Sequence, residues 1–325
     1  MGTSFVEIVY RGVLQMSLAR RIGRGIVLGA RKENKRGFTF GRYGDSPERI
    51  GIPAKRFVVI GDCEEDLQPF MTPYELTNND VTVVLDDTLR KGVESWAWHG
   101  LQPINRLTKP GGTLLILSQA SPDELIRVIP IKEVEYTLAI VRGSPTWSSM
   151  WRYDDDTDAR ILGAMAKVAR IISLDSVEYV IAEEWGQKDK VELAGKSYDE
   201  VQVRPVAAGE GIEQPIPQIE LPAWQQMREA LVIPAILGQK QNPDFKGLAA
   251  RTKRPLIDSG KCRKCNLCWL HCPEGSLDIM PDGFFNINLE YCNGCGICAS
   301  ICPVEGCIDM VTEQTFAENA SWQER

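Results

Sequence analysis

Residues 262–307 read CRKCNLCWLHCPEGSLDIMPDGFFNINLEYCNGCGICASICPVEGC. The pattern C-x2-C-x2-C-x3-C-P occurs twice, as Cys262, Cys265, Cys268, Cys272 and Pro273, then as Cys292, Cys295, Cys298, Cys302 and Pro303. Each cysteine of the second run lies 30 residues after its counterpart in the first. Two-residue gaps let three thiolates from one loop converge on one polynuclear centre. The fourth must arrive from elsewhere, and the proline turns the chain away after it. Soft thiolates select zinc or iron–sulfur centres. Zinc sites usually pair two CxxC knuckles and need neither the third cysteine nor the CP ending, so the spacing favours iron and sulfur, with zinc as the competing metal. A disulfide framework fits poorly, because upstream of this stretch the only cysteine is Cys63.

The spacing resembles that of bacterial two-cluster ferredoxins, in which the fourth cysteine of each run ligates the other cluster. It assigns Cys262, Cys265, Cys268 and Cys302 to one [4Fe-4S] cluster and Cys292, Cys295, Cys298 and Cys272 to a second. The repeat extends past the ligands. Ile257-Asp258 precedes the first run as Ile287-Asn288 precedes the second, and residues 277–280 correspond to residues 308–311. These flanks read as short strands paired across a pseudo-two-fold. Cys307 then corresponds to Ser276 and reads as packing, not as a ligand. His271 reads as a solvated ring beside Cys272. Trp269, Leu270, Ile297, Ile301, Phe284 and Phe285 are expected to form an apolar shell. So short a module buries little core unaided, and the clusters are expected to hold it together.

The 325 residues suggest two domains plus connections. With 43% hydrophobic and 25% charged residues the composition is that of an ordinary globular protein. A net charge of −7 gives no reason to expect nucleic-acid binding. No apolar run approaches the ~18 residues of a membrane span, and no signal-peptide pattern opens the chain. Iron–sulfur thiolates point to a reducing interior, so a cytoplasmic protein of an anaerobe, free of membrane, is expected.

Residues 1–195 read as an α/β domain. Apolar strands are expected at 5–10, 57–60, 81–85 and 113–117, and a helical stretch carries Leu14, Leu18 and Ile22. Ile161, Leu162, Met165, Val168 and Ile172 fall at helical spacing behind the acidic residues 154–158. Ser173 or Asp175 can cap a further helix. Arg42, Arg49, Lys55 and Arg56 read either as a surface for an anionic group or as a solvated rim. Asp86 and Asp87 end a strand, where α/β sites form, or cap a helix. Cys63 reads as an inert, partly buried thiol. Residues 196–250 form a Pro-rich strap (Pro205, Pro215, Pro217, Pro222, Pro234, Pro243), apolar enough to lie along partner chains. Residues 251–325 form the α+β two-cluster domain.

The stretch FGRYGDSPERIG at 40–51 resembles the YGPERRG stretch of the gamma subunit of 2-oxoacid:ferredoxin oxidoreductases, and residues 83–86, 110–118 and 162–173 fall at matching places. KRPLID at 253–258, leading into CRKCNLCWLHCPEG at 262–275, resembles the delta subunit of the pyruvate enzymes. The chain thus looks like a gamma–delta fusion. The resemblance implies a non-catalytic electron-transfer and scaffold subunit, with catalytic alpha- and beta-type partners that hold thiamine diphosphate and magnesium. It also implies an external ferredoxin as acceptor and a dimer of heterotrimers. No thiamine-diphosphate signature, GDG followed by asparagine, occurs here. One departure concerns the family's glycine-dense loop after the first strand, roughly GxGGQG, which lets backbone amides approach a phosphate. Here the place reads Tyr10-Arg11-Gly12-Val13-Leu14-Gln15-Met16. In pyruvate-type relatives this domain is associated with coenzyme A. The loss suits the oxalate branch, which needs none, or reflects drift in a scaffold. The alternatives are a pyruvate-type subunit using coenzyme A and a stand-alone iron–sulfur carrier or adaptor.

Overall fold

The structure, a computed structural model, describes residues 2–43, 50–71, 76–91, 93–94, 101–144, 156–213 and 251–313. The chain divides into two compact units; the described residues up to 213 belong to the first and residues 251–313 to the second.

In the first unit the opening apolar stretch forms β1 (Ser4–Arg11), buried from Val6 onward, which runs directly into α1 (Gly12–Lys32). There follow β2 (Arg36–Tyr43), β3 (Ile50–Gly61), β4 (Asn79–Val84) and the short pair β5 (Val93–Glu94) and β6 (Leu101–Gln102). Then come β7 (Thr108–Ser118), α2 (Pro122–Leu125), β8 (Tyr136–Arg142), α3 (Thr157–Val168), α4 (Leu174–Tyr179), α5 (Val191–Glu200) and β9 (Gln202–Val206). One sheet takes the order β2-β3-β1-β4-β7-β8-β9. Its centre, β1-β4-β7-β8, is parallel, while β3 and β9 run antiparallel to their neighbours.

Parallel strands covered on both faces need apolar residues at successive positions, and both faces are indeed buried. Val6, Ile8 and Tyr10 of β1 share a core with Leu18, Ile22 and Ile26 of α1 and with Leu162 and Met165 of α3. On the other face Val9, Val84, Ile116 and Ile140 meet Leu125, Ile126 and Ile129. Burying each such side chain contributes about 1.5–3 kcal/mol. Helix α1 lies close to α3 because Gly25 leaves room; a Cβ there would stand 2.7 Å from Leu162 Cδ1.

The boundary expected at residue 195 is corrected. Helix α5 runs across it, and β9 adds an edge strand that contains Pro205. A proline lacks the N–H that a central strand must donate, and the edge tolerates it. The remainder of the expected strap, residues 214–250, lies outside the described residues. Among the described residues no helix is long and apolar enough to cross a membrane.

The second unit comprises β10 (Lys253–Ile257), α6 (Leu267–Leu270), β11 (Leu277–Ile279), β12 (Phe285–Ile287), α7 (Ile297–Ile301) and β13 (Ile308–Thr312). β10 pairs antiparallel with β13, Ile257 opposite Ile308, and β11 with β12, Leu277 opposite Ile287. The repeat is also written in its hydrogen bonds. Asp258 N donates to Cys307 O at 2.8 Å as Asn288 N donates to Ser276 O at 2.7 Å. Cys262 N reaches Asp258 O, and Cys292 N reaches Asn288 O, each at 3.1 Å.

Candidate metal centre

Each Cys-rich loop is curled by left-handed residues at equivalent places: Lys264 and Asn266 in the first, Gly294 and Gly296 in the second. Asn266 and Gly296 then start the one-turn helices α6 and α7, which carry Cys268 and Cys298 inward and leave both buried. Cys272 and Cys302 follow as the chain leaves each helix.

Two cavities result. One is lined by Cys292, Cys295 and Cys298 of the second run together with Cys272 of the first, over Leu277, Ile287 and Ile297. The other is lined by Cys262, Cys265 and Cys268 of the first run together with Cys302 of the second, over Ile257, Phe285 and Ile308. They measure about 370 and 350 Å³ including their open mouths. The structure therefore brings together the two groups of four that the spacing assigns. The donor set fits iron–sulfur cubanes: the four soft sulfurs of the pattern line each cavity, joined in the first-run cavity by a fifth, that of Cys307, and the backbone N–H of Ser276 donates to Cys272 Sγ at 3.3 Å. Among the described residues no three Cys, His, Asp or Glu side chains gather so as to hold a single metal ion.

Burial raises the pKa of the Cys268 thiol and pushes that of Cys298 up to about 12. Burial also raises Cys292, opposed by the nearby positive charge of Arg251. A centre that binds these sulfurs as thiolates must displace their protons. Cys307 shares the first-run cavity, but it is buried with its thiol directed at Asp258 O, 3.7 Å away. Burial and the adjacent Cys302 and Cys262 sulfurs push its pKa up to about 12. His271 is exposed, and its Nδ1 lies 2.9 Å from Leu267 O.

Several expectations are corrected. Phe285 is buried and Ile297, though partly exposed, lines the second-run cavity, but Trp269 and Leu270 face outward in this chain because the one-turn helices already spend their inner face on the cysteines. Cys63 is exposed, not partly buried. Lys55 and Arg56 form neither a rim nor an anion surface: both are buried, Lys55 Nζ pairing with Glu7 at 2.9 Å and Arg56 Nη1 reaching Thr39 Oγ1 at 3.3 Å. Arg49 lies outside the described residues, as does the side chain of Arg42.

Sequence reasoning missed two buried arginines. Arg11 closes the carboxyl end of β1. Its Nε meets Asp86 Oδ2 at 3.0 Å and its Nη2 donates to Thr88 Oγ1 at 2.5 Å. Gln15 Oε1 accepts Arg11 N at 2.9 Å while Gln15 Nε2 donates to Leu85 O at 3.1 Å. Asp86 also accepts Thr88 N at 2.9 Å, the capping role weighed for it, and Asp87 accepts the Ser118 hydroxyl. Arg251 lies beside the Cys292–Cys295 loop and is paired with Glu313. Polar residues outside any motif carried no signal for either burial.

Fold and cysteine pattern together define a protein with a ferredoxin-type dicluster module, and the family described as 4Fe-4S dicluster domain matches residues 255–310. Pyruvate synthase subunit PorD of Thermotoga maritima is 39% identical over 74 residues, 22% of this chain and 73% of that protein. Pyruvate synthase subunit PorD of Methanocaldococcus jannaschii is 48% identical over 54 residues, 17% of this chain and 63% of that protein, so the chain spans somewhat under two thirds of its length. The structure of pyruvate oxidoreductase subunit PORC from Thermotoga maritima covers 62% of this chain and 99% of its own, at 20% identity and a TM-score of 0.44. The chain belongs to the PorD-type subunit family of 2-oxoacid:ferredoxin oxidoreductases.

Proposed function

We propose that the chain is the electron-transfer and scaffold subunit of a thiamine-diphosphate-dependent 2-oxoacid:ferredoxin oxidoreductase. In this reading Cys262, Cys265, Cys268 and Cys302 hold one [4Fe-4S] cluster, and Cys292, Cys295, Cys298 and Cys272 hold the other. The observation that carries it is the exchange of the fourth cysteine between the two cavities. Bound there, each cluster supplies a one-electron carrier. Cys265 and Cys295 are exposed, which supports an exit for electrons to a ferredoxin at one corner of each site. Catalysis, with thiamine diphosphate and magnesium, belongs to alpha- and beta-type partners in a cytoplasmic dimer of heterotrimers. Residues 214–250 serve as the strap along them.

On substrate, two readings have separate support. The Arg11–Asp86 closure at the first βα turn supports an enzyme that does without coenzyme A, of the oxalate type. The names of the relatives support pyruvate. Metal and sulfide analysis of the anaerobically purified protein tests the core proposal. About eight iron and eight sulfide per chain are expected, together with copurifying partner chains; zinc without sulfide, or a lone band, would overturn it.

A further inference from the structure

Buried hydroxyls are nearly always hydrogen-bonded, because an unpaired donor forfeits the bonds it made in water. Ser276 departs from that rule. It is 1% exposed and lines the cavity of the second run, yet among the described residues its Oγ meets no hydrogen-bond partner. Its backbone groups are both engaged. Ser276 N donates to Cys272 Sγ at 3.3 Å, and Ser276 O accepts Asn288 N at 2.7 Å. These bonds fix the residue beside the sulfur that the first run contributes to this cavity.

The other half of the repeat shows the contrast. Cys307 is the counterpart of Ser276, its carbonyl accepting Asp258 N at 2.8 Å as Ser276 O accepts Asn288 N. Cys307 lines the first-run cavity, but its thiol is directed at Asp258 O, 3.7 Å away. The Ser276 hydroxyl makes no matching bond to Asn288 O. A serine O–H is also a stronger donor than a cysteine S–H. The fold therefore leaves a good donor unspent beside four gathered sulfurs.

We propose that the Ser276 hydroxyl donates a hydrogen bond to a sulfur of the cluster held by Cys292, Cys295, Cys298 and Cys272, and so raises that cluster's reduction potential. The inference rests on the two-cluster reading given above. One electron from a low-potential donor adds one negative charge to the cluster, with no covalent bond formed or broken and no proton transferred. Hydrogen bonds to sulfur are among the factors that set such potentials, because they stabilise the more negative, reduced form. Other groups act on the same site. Glu274 lines it and accepts Asn293 Nδ2 at 2.9 Å, and Arg251 Nη1 reaches the carbonyl of Cys292 at 3.1 Å. Both stay in place when Ser276 is replaced, so the hydroxyl's own share is read by difference within one site.

The test is a redox titration of the full chain in its complex, followed by electron paramagnetic resonance. The two signals are assigned with Cys272→Ser and Cys302→Ser. Ser276→Ala is expected to lower the second-run cluster's reduced-to-oxidised ratio about tenfold at fixed ambient potential, equivalent to ~59 mV for one electron. The first-run cluster should not move, and Ser276→Thr, which keeps the hydroxyl, should stay near the wild type. After exchange into heavy water, electron–nuclear double resonance should show a deuteron coupled to the second-run cluster that Ser276→Ala lacks. A role in packing alone would not remove that coupling. An unmoved second-run potential in a Ser276→Ala protein that keeps its iron, equal shifts of both clusters, or an unchanged deuteron pattern would overturn the proposal. If Ser276→Ala loses iron, Ser276→Gly is read by the same criterion, and loss of iron from both would make Ser276 a packing residue and overturn it. Wild-type protein with fewer than about eight iron per chain would instead overturn the two-cluster reading beneath it.

Discussion

Arg11 Nε stands 3.0 Å from Asp86 Oδ2, and neither side chain is exposed. The pair joins the carboxyl ends of the adjacent parallel strands β1 and β4, the edge of an α/β sheet at which ligands usually bind. Thr88 and Gln15 complete it, Gln15 holding the first amide of the turn that a glycine-rich loop would offer to an anion. The crevice is closed by the protein's own charges.

Breaking that pair from one side should be costly. Arg11→Leu leaves Asp86 buried without its partner, which typically costs about 3–5 kcal/mol, whereas replacing both members by apolar residues is often near neutral. Urea unfolding followed by circular dichroism should show a large loss for Arg11→Leu and substantial recovery in Arg11→Leu/Asp86→Leu. Equal losses in the single and double variants would show that the ion pair is not the stabilising feature.

The proposed exchange of fourth ligands predicts crossed damage. Cys272→Ser should disturb the cluster of the second run and leave about four iron per chain in the first-run site. Cys302→Ser should do the reverse. Resonance spectra and iron counts of the two variants check this. Loss of the first-run cluster in Cys272→Ser would mean that each run supplies its own fourth ligand.

Legibility differed between the two units for a physical reason. In the second unit covalent spacing dictates geometry, so the cysteine spacing, read as that of a two-cluster ferredoxin, grouped the residues that line each cavity, and the repeated flanks 257–258/287–288 and 277–280/308–311 marked the strands that frame them. In the first unit β1, β3, β4 and β7 announced themselves as apolar runs, since a buried parallel sheet demands them. Strand β2 did not, because Arg36, Gly37, Gly41 and Arg42 dilute its pattern and its strandedness comes from pairing with β3. Strand β9 was hidden by Pro205, which only an edge position excuses. The burial of Arg11, Lys55 and Arg251 depends on a partner far away in sequence, and no local pattern encodes that.

Cys307 offers a sharp control. It lines the same cavity as Cys262, Cys265, Cys268 and Cys302, yet its repeat partner is Ser276, and its carbonyl and thiol are both engaged with Asp258. Cys307→Ser should keep both clusters, with unchanged iron content and spectra. Loss of about half the iron would make Cys307 a ligand in place of one of the four.

Among the described residues, the buried core of the second unit consists of Cys268, Leu277, Phe285, Cys298, Cys307 and Ile308, half of them cysteines. With so few apolar side chains buried among these residues, the metal centre is expected to offset the entropy of ordering residues 251–313. Removing iron with an oxidant and chelator should therefore unfold residues 251–313 while the first unit's sheet survives. Hydrogen exchange of the two segments before and after treatment measures this. Persisting protection across β10–β13 without iron would show that the strands stand alone.

The final prediction concerns coenzyme A. Side chains at Arg11 and Gln15 occupy the place where the family's loop shows bare backbone, and Gln15 already accepts the Arg11 amide. A phosphate could reach this turn only by displacing the Arg11–Asp86 pair, which would leave a buried carboxylate facing the phosphate's own negative charge. If the complex is of the proposed oxalate type, it should reduce ferredoxin or a dye at full rate with no coenzyme A added, and oxalate should outperform pyruvate as electron donor. Each acid is assayed with and without coenzyme A, and direct binding of coenzyme A is measured by calorimetry. Strict dependence on coenzyme A with pyruvate would show that the altered turn is drift, and that any phosphate site lies elsewhere in the assembly.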